Sequence, residues 1–253
     1  MRADPLLNAI RPLLIVGLLA LVASPGAGLA ADRGLPVTLL DCDFNSETVD
    51  APLPTGGPAA GQPISLGGVD AFVRSTPFGS PSVELQDTWG SGARHVSFTF
   101  LNGWAPSTGT MSISADLWFE DADNYSFNLR EADAASVSFL SLLFQFNGNI
   151  RYGDLDSPGN TLIGTYTTGV PQSLLIDVDL DTATYDLTLN STALLSGESM
   201  GVLPEGIGRI YVGLSHDADS SGTFYLDNLD VSASEVPSPV DASTWGRVKD
   251  LFR

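Results

Sequence analysis

Hydrophobic and polar residues alternate with a period of two through much of this 253-residue chain, which is the pattern of β-strands buried on one face. The clearest example lies between residues 172 and 189, where two alternating runs flank the turn residues Asp181 and Thr182. The apolar positions of these runs are Ile176, Val178, Leu180, Tyr185, Leu187 and Leu189, separated by Asp177, Asp179, Thr184, Asp186 and Thr188. This pattern predicts an antiparallel hairpin with one buried face and one solvated face.

The same alternation recurs along the chain and predicts about a dozen strands. In the first, residues 38–44, Leu40, Cys42 and Phe44 share the inward face, and Asp41 and Asp43 share the outward face. The others are predicted at residues 71–74, 82–86, 95–101, 110–119, 125–130, 137–146, 150–152, 162–166, 172–180, 184–189, 208–215 and 223–232. Because no segment before the C-terminal tail has a helical period, the sequence predicts an all-β protein of two packed antiparallel sheets.

Two connections carry strong local signals. Asn147 and Gly148 both tolerate a positive φ, so they predict a two-residue hairpin turn of type I′. Residues 45–68 contain many prolines and glycines, which predicts an irregular crossing over the surface rather than a strand.

The N-terminus has the features of a signal peptide. Arg2 and Arg11 precede an apolar run at residues 12–23, and the small-residue ending Gly28-Leu29-Ala30 is typical of a signal-peptidase site. The run is shorter than the ~20 apolar residues that cross a bilayer, which argues against a retained anchor. We therefore expect residues 1–30 to be removed and a mature protein, without a transmembrane segment, to be secreted or held at the cell surface.

The charge balance limits the partners. The chain has 30 acidic and 11 basic residues, a net charge of −19, and this excludes nucleic acid as a partner. Such an exported protein resides in salt, is simply well solvated, or neutralises carboxylates with Ca²⁺. The one cysteine, Cys42, cannot form an internal disulfide, and its inward position predicts a buried thiol.

One acidic loop has the spacing of a calcium site. Asp217, Asp219 and Ser221 occupy alternate positions and Gly222 follows them, which lets a short loop wrap a hard cation. Asn228 stands where an EF-hand has its bidentate glutamate, and strands flank the loop, so we predict a β-hairpin Ca²⁺ site assisted by Asp227 or by Asp43. The alternative is a solvated polar turn.

Three segments together resemble a known superfamily. They are Asp41-Cys42-Asp43-Phe44-Asn45-Ser46, the hairpin around Asp181, and the terminal strand Tyr225-Leu226-Asp227-Asn228-Leu229. Over residues 36–233 the chain is similar to the concanavalin A-like, laminin-G-like jelly-roll superfamily of bacterial secreted proteins. The resemblance implies a jelly-roll sandwich in which the first and last strands pair, so that Asp43 and Asp227 lie close. Members bind glycans, cleave them or serve as adhesive domains, so the fold leaves the function open.

Catalytic motifs of that superfamily are incomplete here. Glu131-Ala132-Asp133-Ala134-Ala135-Ser136 lacks the final glutamate of the Glu-x-Asp-x-x-Glu pattern that retaining glucanases carry, and the acids of Glu120-Asp121-Ala122-Asp123 would point to opposite faces. Lyases of this fold need arginine to neutralise a carboxylate and tyrosine or histidine to move a proton. The candidates for these roles are Arg130, Arg151, His95 and His216. The net negative charge of the chain argues against a lyase, because it repels acidic glycans.

Tryptophans offer the best glycan-binding platforms. Trp89 and Trp104 lie in Gly-, Pro- or Ser-rich loops, and Trp118 has the outward parity of its strand. The alternative for each is a buried or loop-anchoring role.

The sequence predicts four segments and a function. We predict a signal peptide (1–30), a jelly-roll domain (31–233), a stiff Pro/Ser linker (234–240) and a basic amphipathic helical tail (241–253) that meets sorting or attachment machinery, or else frays or docks on the domain. The predicted function is a non-catalytic carbohydrate-binding or adhesive surface module, stabilised by Ca²⁺. The alternatives are a glycoside hydrolase or polysaccharide lyase, and a structural surface-layer or appendage component.

Overall fold

The computed structural model describes residues 36–55, 58–59, 62–67, 69–86, 94–131, 138–154, 160–200, 206–214 and 222–234. These residues form β-strands and one short 3-10 helix, Leu101–Gly103, so the all-β prediction is confirmed. In chain order the strands are β1 (Val37–Cys42), β2 (Pro58–Ala59), β3 (Gln62–Gly67), β4 (Asp70–Arg74), β5 (Ser82–Gln86), β6 (Arg94–Thr99), β7 (Thr110–Phe119), β8 (Tyr125–Glu131), β9 (Ser138–Phe144), β10 (Asn149–Asp154), β11 (Thr161–Thr165), β12 (Pro171–Asp179), β13 (Thr184–Leu189), β14 (Thr192–Ser199), β15 (Ile207–Leu214) and β16 (Thr223–Ala233).

The strands form two antiparallel sheets packed as a sandwich. The first sheet has the order β14-β13-β12-β7-β16-β5-β4, and β1 pairs with β16 beside this path. The second sheet has the order β11-β10-β9-β8-β15-β6-β3-β2. Cys42 of the first strand lies opposite Leu229 of the last, which is the pairing that the resemblance implied. The arrangement is consistent with a jelly roll.

The inward faces of both sheets supply one hydrophobic core. In β7 the buried positions alternate strictly with half-buried ones, and β12 and β13 repeat the pattern that the sequence predicted. Phe119 packs against the rings of Tyr125, Phe144, Tyr166 and Phe224, at centroid distances of 4.7 to 5.1 Å. Burying each such ring stabilises the fold by roughly 1.5–3 kcal/mol, so this group joins the two sheets firmly.

Cys42 has the predicted buried position. Its thiol is fully buried between Asp41 and Asp43, which face outward. Burial first, and then the negative charges around it, raise the pKa of the thiol to about 12, so it stays protonated and unreactive.

The hairpin at Asn147 and Gly148 is confirmed, but its predicted type I′ turn is wrong. The Gly148 amide donates to the Gln145 carbonyl at 2.8 Å, and Gly148 has a φ of 79° while Asn147 does not have a positive φ. The connection is therefore a longer loop that ends on one left-handed glycine.

Two strand-forming regions were not predicted. Residues 45–68 were expected to be irregular, yet they contain β2 and β3, and Ile64 and Leu66 of β3 pair with Phe98 and Val96 of β6. The third missed strand, β14, extends the first sheet beyond β13. In both regions pairing with a neighbouring strand outweighs weak local propensity.

The predicted signal peptide and C-terminal tail, and the predicted linker after Ser234, lie outside the described residues. Among the residues that are described, no helix is long and apolar enough to span a membrane.

Candidate functional site

The outward face of the second sheet carries a polar cluster at its centre, on the adjacent strands β6, β15 and β8. Val96, Phe98, Ile210, Val212, Phe127 and Leu129 fill the inward positions of these strands and belong to the core. Because side chains alternate along a strand, the residues between them face outward. We name His95, Asn128, Arg130, Arg209 and Tyr211 the Tyr211 cluster.

The ring of Tyr211 is held between side chains from both neighbouring strands. The imidazole of His95, on β6, stacks on it with a centroid distance of 4.0 Å and an interplanar angle of 21°. The guanidinium carbon of Arg130, on β8, lies 3.9 Å from the ring centroid. Since β6 and β8 flank β15 on opposite sides, the two groups cover opposite faces of the ring and fix its orientation.

Asn128 forms the buried floor of the cluster. It is only 4% exposed, and its amide nitrogen donates to Ser126 Oγ at 3.2 Å and to the Tyr211 carbonyl at 3.3 Å. Its amide oxygen accepts a hydrogen bond from Ser141 Oγ. A buried amide with these partners is satisfied, and it fixes two serine hydroxyls around the cluster.

Arg130 and Arg209 lie directly opposite each other on β8 and β15. Burial, followed by the positive charge of Arg209, lowers the pKa of the Arg130 guanidinium, although Tyr211 acts in the other direction. Burial raises the pKa of the Tyr211 hydroxyl, and the two arginines oppose that rise. The cluster is therefore a cationic surface in which Tyr211 remains a hydroxyl donor.

The tryptophans predicted to bind glycan do not join this cluster. Trp104 follows the 3-10 helix, donates its amide to the Leu101 carbonyl at 3.0 Å and packs half-buried against the core. Trp89 lies outside the described residues. Trp118 has the predicted outward parity on β7, where its ring meets that of Phe78 edge-on at 6.3 Å. It belongs to the opposite face of the sandwich.

The predicted metal ligands fall into two groups. Asp217, Asp219 and Ser221 lie outside the described residues. Asp227 is buried on β16 and accepts hydrogen bonds from Ser80 Oγ at 2.7 Å and from the Asn228 amide at 2.9 Å. Burial, and the charges of Asp116 and Asp43, raise its pKa against these hydrogen bonds. The influence of Asp43 agrees with the pairing of the first and last strands.

The Asp123 carboxylate contacts Gly222, the residue that follows the predicted calcium loop. Its Oδ2 accepts a hydrogen bond from the Gly222 amide at 3.1 Å, at the end of that loop. Asp227 lies five residues after Gly222, a distance of about 17 Å along an extended strand. In the part of the chain that the structure describes, no group of three or more His, Cys, Asp or Glu side chains is arranged to hold a metal ion.

The carboxylates considered for catalysis are apart from the cluster. Glu131 pairs with Ile207 and is buried on the inward side of β8. Glu120 follows β7 on the first sheet, where the Tyr225 hydroxyl lies 3.2 Å from Glu120 Oε2 and 2.9 Å from Glu84 Oε2. Neither glutamate belongs to the Tyr211 cluster.

The sequence indicates only part of this cluster. Arg130 and His95 are candidates for lyase chemistry, whereas no motif marks Asn128, Arg209 or Tyr211. The available signal was parity, because Arg209 and Tyr211 alternate with the apolar residues Ile210 and Val212. That pattern cannot show which strands are neighbours, and the cluster exists only because β15 pairs with β6 and β8.

Comparisons with known proteins identify the fold and not a family. No family model matches the sequence, and no curated protein sequence matches it significantly. A sialidase is similar over 78% of this chain and 19% of its own, with a TM-score of 0.58 and 12% identity. The cellulose-induced protein Cip1 is similar over 78% and 97% of the two chains, with a TM-score of 0.52 and 17% identity.

A third structural neighbour is the binding domain of botulinum neurotoxin serotype D. It is similar over 79% of this chain and 49% of its own, with a TM-score of 0.50 and 12% identity. This chain thus spans about a fifth of the sialidase and about half of the neurotoxin domain. At these identities the likeness shows a shared β-sandwich fold.

Proposed function

We propose that the protein is a carbohydrate-binding module that holds its ligand on the Tyr211 cluster. The observation that carries this proposal is the fixed position of Tyr211 between His95 and Arg130, in the middle of an otherwise hydroxyl-rich sheet face. Sugars present many hydroxyl groups on a compact ring, and a site that binds them needs several donors and acceptors held in a fixed arrangement.

The cluster meets that requirement through its hydrogen bonds. Asn128 holds Ser126 and Ser141, and Arg130 Nε donates to Ser138 Oγ at 3.1 Å. Since these groups are already ordered, a ligand loses little additional side-chain entropy on binding. Both faces of the Tyr211 ring are covered, so a sugar would meet its hydroxyl, the guanidinium and the imidazole instead of stacking on the ring.

The structural neighbours agree with this proposal without deciding it. One of them is named a sialidase and another a neurotoxin binding domain. A fold hosts many functions, so the proposal depends on the Tyr211 cluster and on the fold only as a scaffold.

A polysaccharide lyase is the second candidate, because one observation favours it. Arg130, His95 and Tyr211 bring together a cation and two groups able to move a proton. A lyase would release unsaturated products, whereas a binding module would leave the polysaccharide intact. We favour binding because the two faces of the tyrosine are occupied and burial raises the pKa of its hydroxyl.

The test combines a glycan array with two matched variants. Tyr211→Ala should abolish binding of every glycan that the protein retains, because it removes the centre of the cluster. Trp118→Ala, on the outward face of the first sheet, should leave binding unchanged. Loss of binding in Trp118→Ala alone would place the site on the first sheet, and absence of any bound glycan would refute the function.

Calcium and location are further parts of the proposal. Ca²⁺ would bind the loop containing Asp217, Asp219 and Ser221, and Asp123, which contacts the adjoining Gly222, would be better placed to assist than Asp227 or Asp43. Residues 1–30 would direct export and then be removed, and the segment 241–253 would direct sorting or surface attachment. N-terminal sequencing of exported protein checks the cleavage, and deletion of 241–253 should change cell association while leaving the melting temperature within about 2 °C.

A further inference from the structure

The two outward faces of the sandwich differ sharply in charge. On the first sheet the outward positions carry Asp41, Asp70, Glu84, Asp116, Asp177, Asp179, Asp186, Asp227 and Asp230, with Arg74 as their basic residue. On the second sheet the outward side chains that the structure describes include Arg130, Arg151 and Arg209 and no aspartate or glutamate. Although the chain has a net charge of −19, the described side chains on the outward face of its second sheet are therefore cationic.

Arg130 and Arg209 concentrate this charge at the Tyr211 cluster. Like charges directly opposite each other on neighbouring strands destabilise a sheet, and the Cβ atoms of such a pair are only about 5 Å apart. A negatively charged group bound between them would remove that repulsion. The pair thus favours an anionic ligand over a neutral one.

Arg130 is also available to such a ligand. Within the described residues both ion pairs belong to Arg74, which contacts Asp50 and Glu84. Arg130 uses Nε for Ser138 and the plane of its guanidinium for Tyr211. Its terminal nitrogens have no acceptor among the described residues, and they form the fork that matches a carboxylate.

We propose that the Tyr211 cluster binds a carboxylate-bearing glycan, a uronate polysaccharide, with the carboxylate on the Arg130 guanidinium in the positive field of Arg209. This inference rests on the proposed carbohydrate-binding function and adds the class of ligand. The serine hydroxyls of residues 126, 138 and 141 surround the arginines and suit the hydroxyl groups of the same sugar ring. A uronate polysaccharide also spaces its charges more widely than nucleic acid, which the net charge of the protein repels.

Arg151 provides a matched control on the same sheet. It faces outward on β10, and the residues opposite Arg130 and Arg151 on β9 are Ser138 and Leu143. Five residues along the strand and two strand spacings put the two arginines roughly 19 Å apart. Arg151 Nε donates to Gln145 Oε1 at 2.9 Å, and its terminal nitrogen donates to the Asn160 carbonyl. Its guanidinium is therefore used in hydrogen bonds within the protein.

The test is calorimetric titration with uronate oligosaccharides of galacturonate, glucuronate and mannuronate type, each as the free acid and as its methyl ester. The acid of at least one type should bind at least about tenfold more tightly than its ester, since a charge-assisted hydrogen bond is lost on esterification. Arg130→Gln should weaken binding of that acid at least about tenfold, and Arg151→Gln should change it by less than about threefold. The comparison of acid with ester uses the unaltered protein and holds even if a variant fails to fold.

The outcomes separate this inference from the function on which it rests. If acid and ester bind equally, or if neutral glycans bind and uronates do not, the anionic class is wrong while carbohydrate binding stands, provided that Tyr211→Ala abolishes it. Equal weakening by Arg130→Gln and Arg151→Gln would overturn the placement at the cluster. If no glycan binds and Arg130→Gln alters the sedimentation coefficient, the face joins copies of this chain, and both proposals fail.

Discussion

The imidazole of His95 occupies the space beside Gly67 that any side chain at that position would need. The two residues are paired on β3 and β6, and a Cβ added to Gly67 would overlap the His95 ring. The position of His95 against Tyr211 therefore depends on a glycine in the neighbouring strand.

Gly67→Ala should weaken glycan binding several-fold by displacing His95 from Tyr211. Gly164→Ala is the matched control, because Gly164 lies on β11, in a different part of the same sheet as Gly67. A Cβ at Gly164 would meet only the flexible Leu194 side chain, at 3.1 Å. The two glycan affinities are measured by titration and the fold by circular dichroism. Equal affinities for Gly67→Ala and Gly164→Ala would mean that His95 does not help to hold the ligand.

Asn128→Ala should destabilise the protein by about 1–3 kcal/mol, because it leaves Ser126, Ser141 and the Tyr211 carbonyl without their amide partner. In a domain of this size the loss corresponds to a melting temperature lower by several degrees. Asn45→Ala, at an exposed loop position, should stay within about 0.5 kcal/mol of the wild type. Similar melting temperatures for the two variants would show that the buried network contributes little.

Asp41 and Asp230 form a second pair of like charges, on β1 and β16. Burial and then the charge of Asp41 raise the pKa of Asp230. A carboxyl group with a raised pKa in the folded state stabilises the fold fully below its unfolded pKa, ordinarily 3.8, and this contribution is lost as the pH rises through the folded value. Repulsion between the two ionised carboxylates thus lowers the free energy of unfolding at neutral pH.

Asp41→Asn should therefore raise the melting temperature at neutral pH by about 1–3 °C, and the gain should shrink as the pH falls towards about 4. Melting curves across this range provide the measurement. Asp70→Asn, on the edge strand β4, is the control and should show a smaller gain. A gain from Asp41→Asn that does not change with pH would contradict a coupling to Asp230.

The limits of sequence reasoning are clear in β12 and β13. Ile176 and Tyr185 were placed correctly because each strand carries its own period-two signal and a short turn joins them. The Tyr211 cluster has no such local signal, since Arg130, His95 and Tyr211 are far apart in the chain and meet through long-range pairing. Parity predicts which face a side chain occupies, but strand order decides which side chains are neighbours.

Calcium should raise the melting temperature, because an ion that binds only the folded state stabilises it by mass action. The double variant Asp217→Ala, Asp219→Ala should abolish the increase, and Asp123→Asn should reduce it because its carboxylate contacts Gly222. Asp227→Asn is the control, since Asp227 lies further along β16 and should leave the increase intact. An identical melting curve with calcium and with a chelator would exclude the site.

Carbohydrate binding at the Tyr211 cluster can be observed at the site itself by nuclear magnetic resonance of the arginine Nε–H groups. Arg130 Nε donates to Ser138 on the second sheet, and Arg74 Nε donates to Glu84 on the first, at 3.1 and 3.0 Å. Titration with a glycan that the protein retains on the array should shift the Arg130 signal progressively and leave the Arg74 signal in place. A shift of Arg74 with Arg130 unmoved, or no shift of Arg130 at saturating glycan, would show that the glycan does not bind at the Tyr211 cluster.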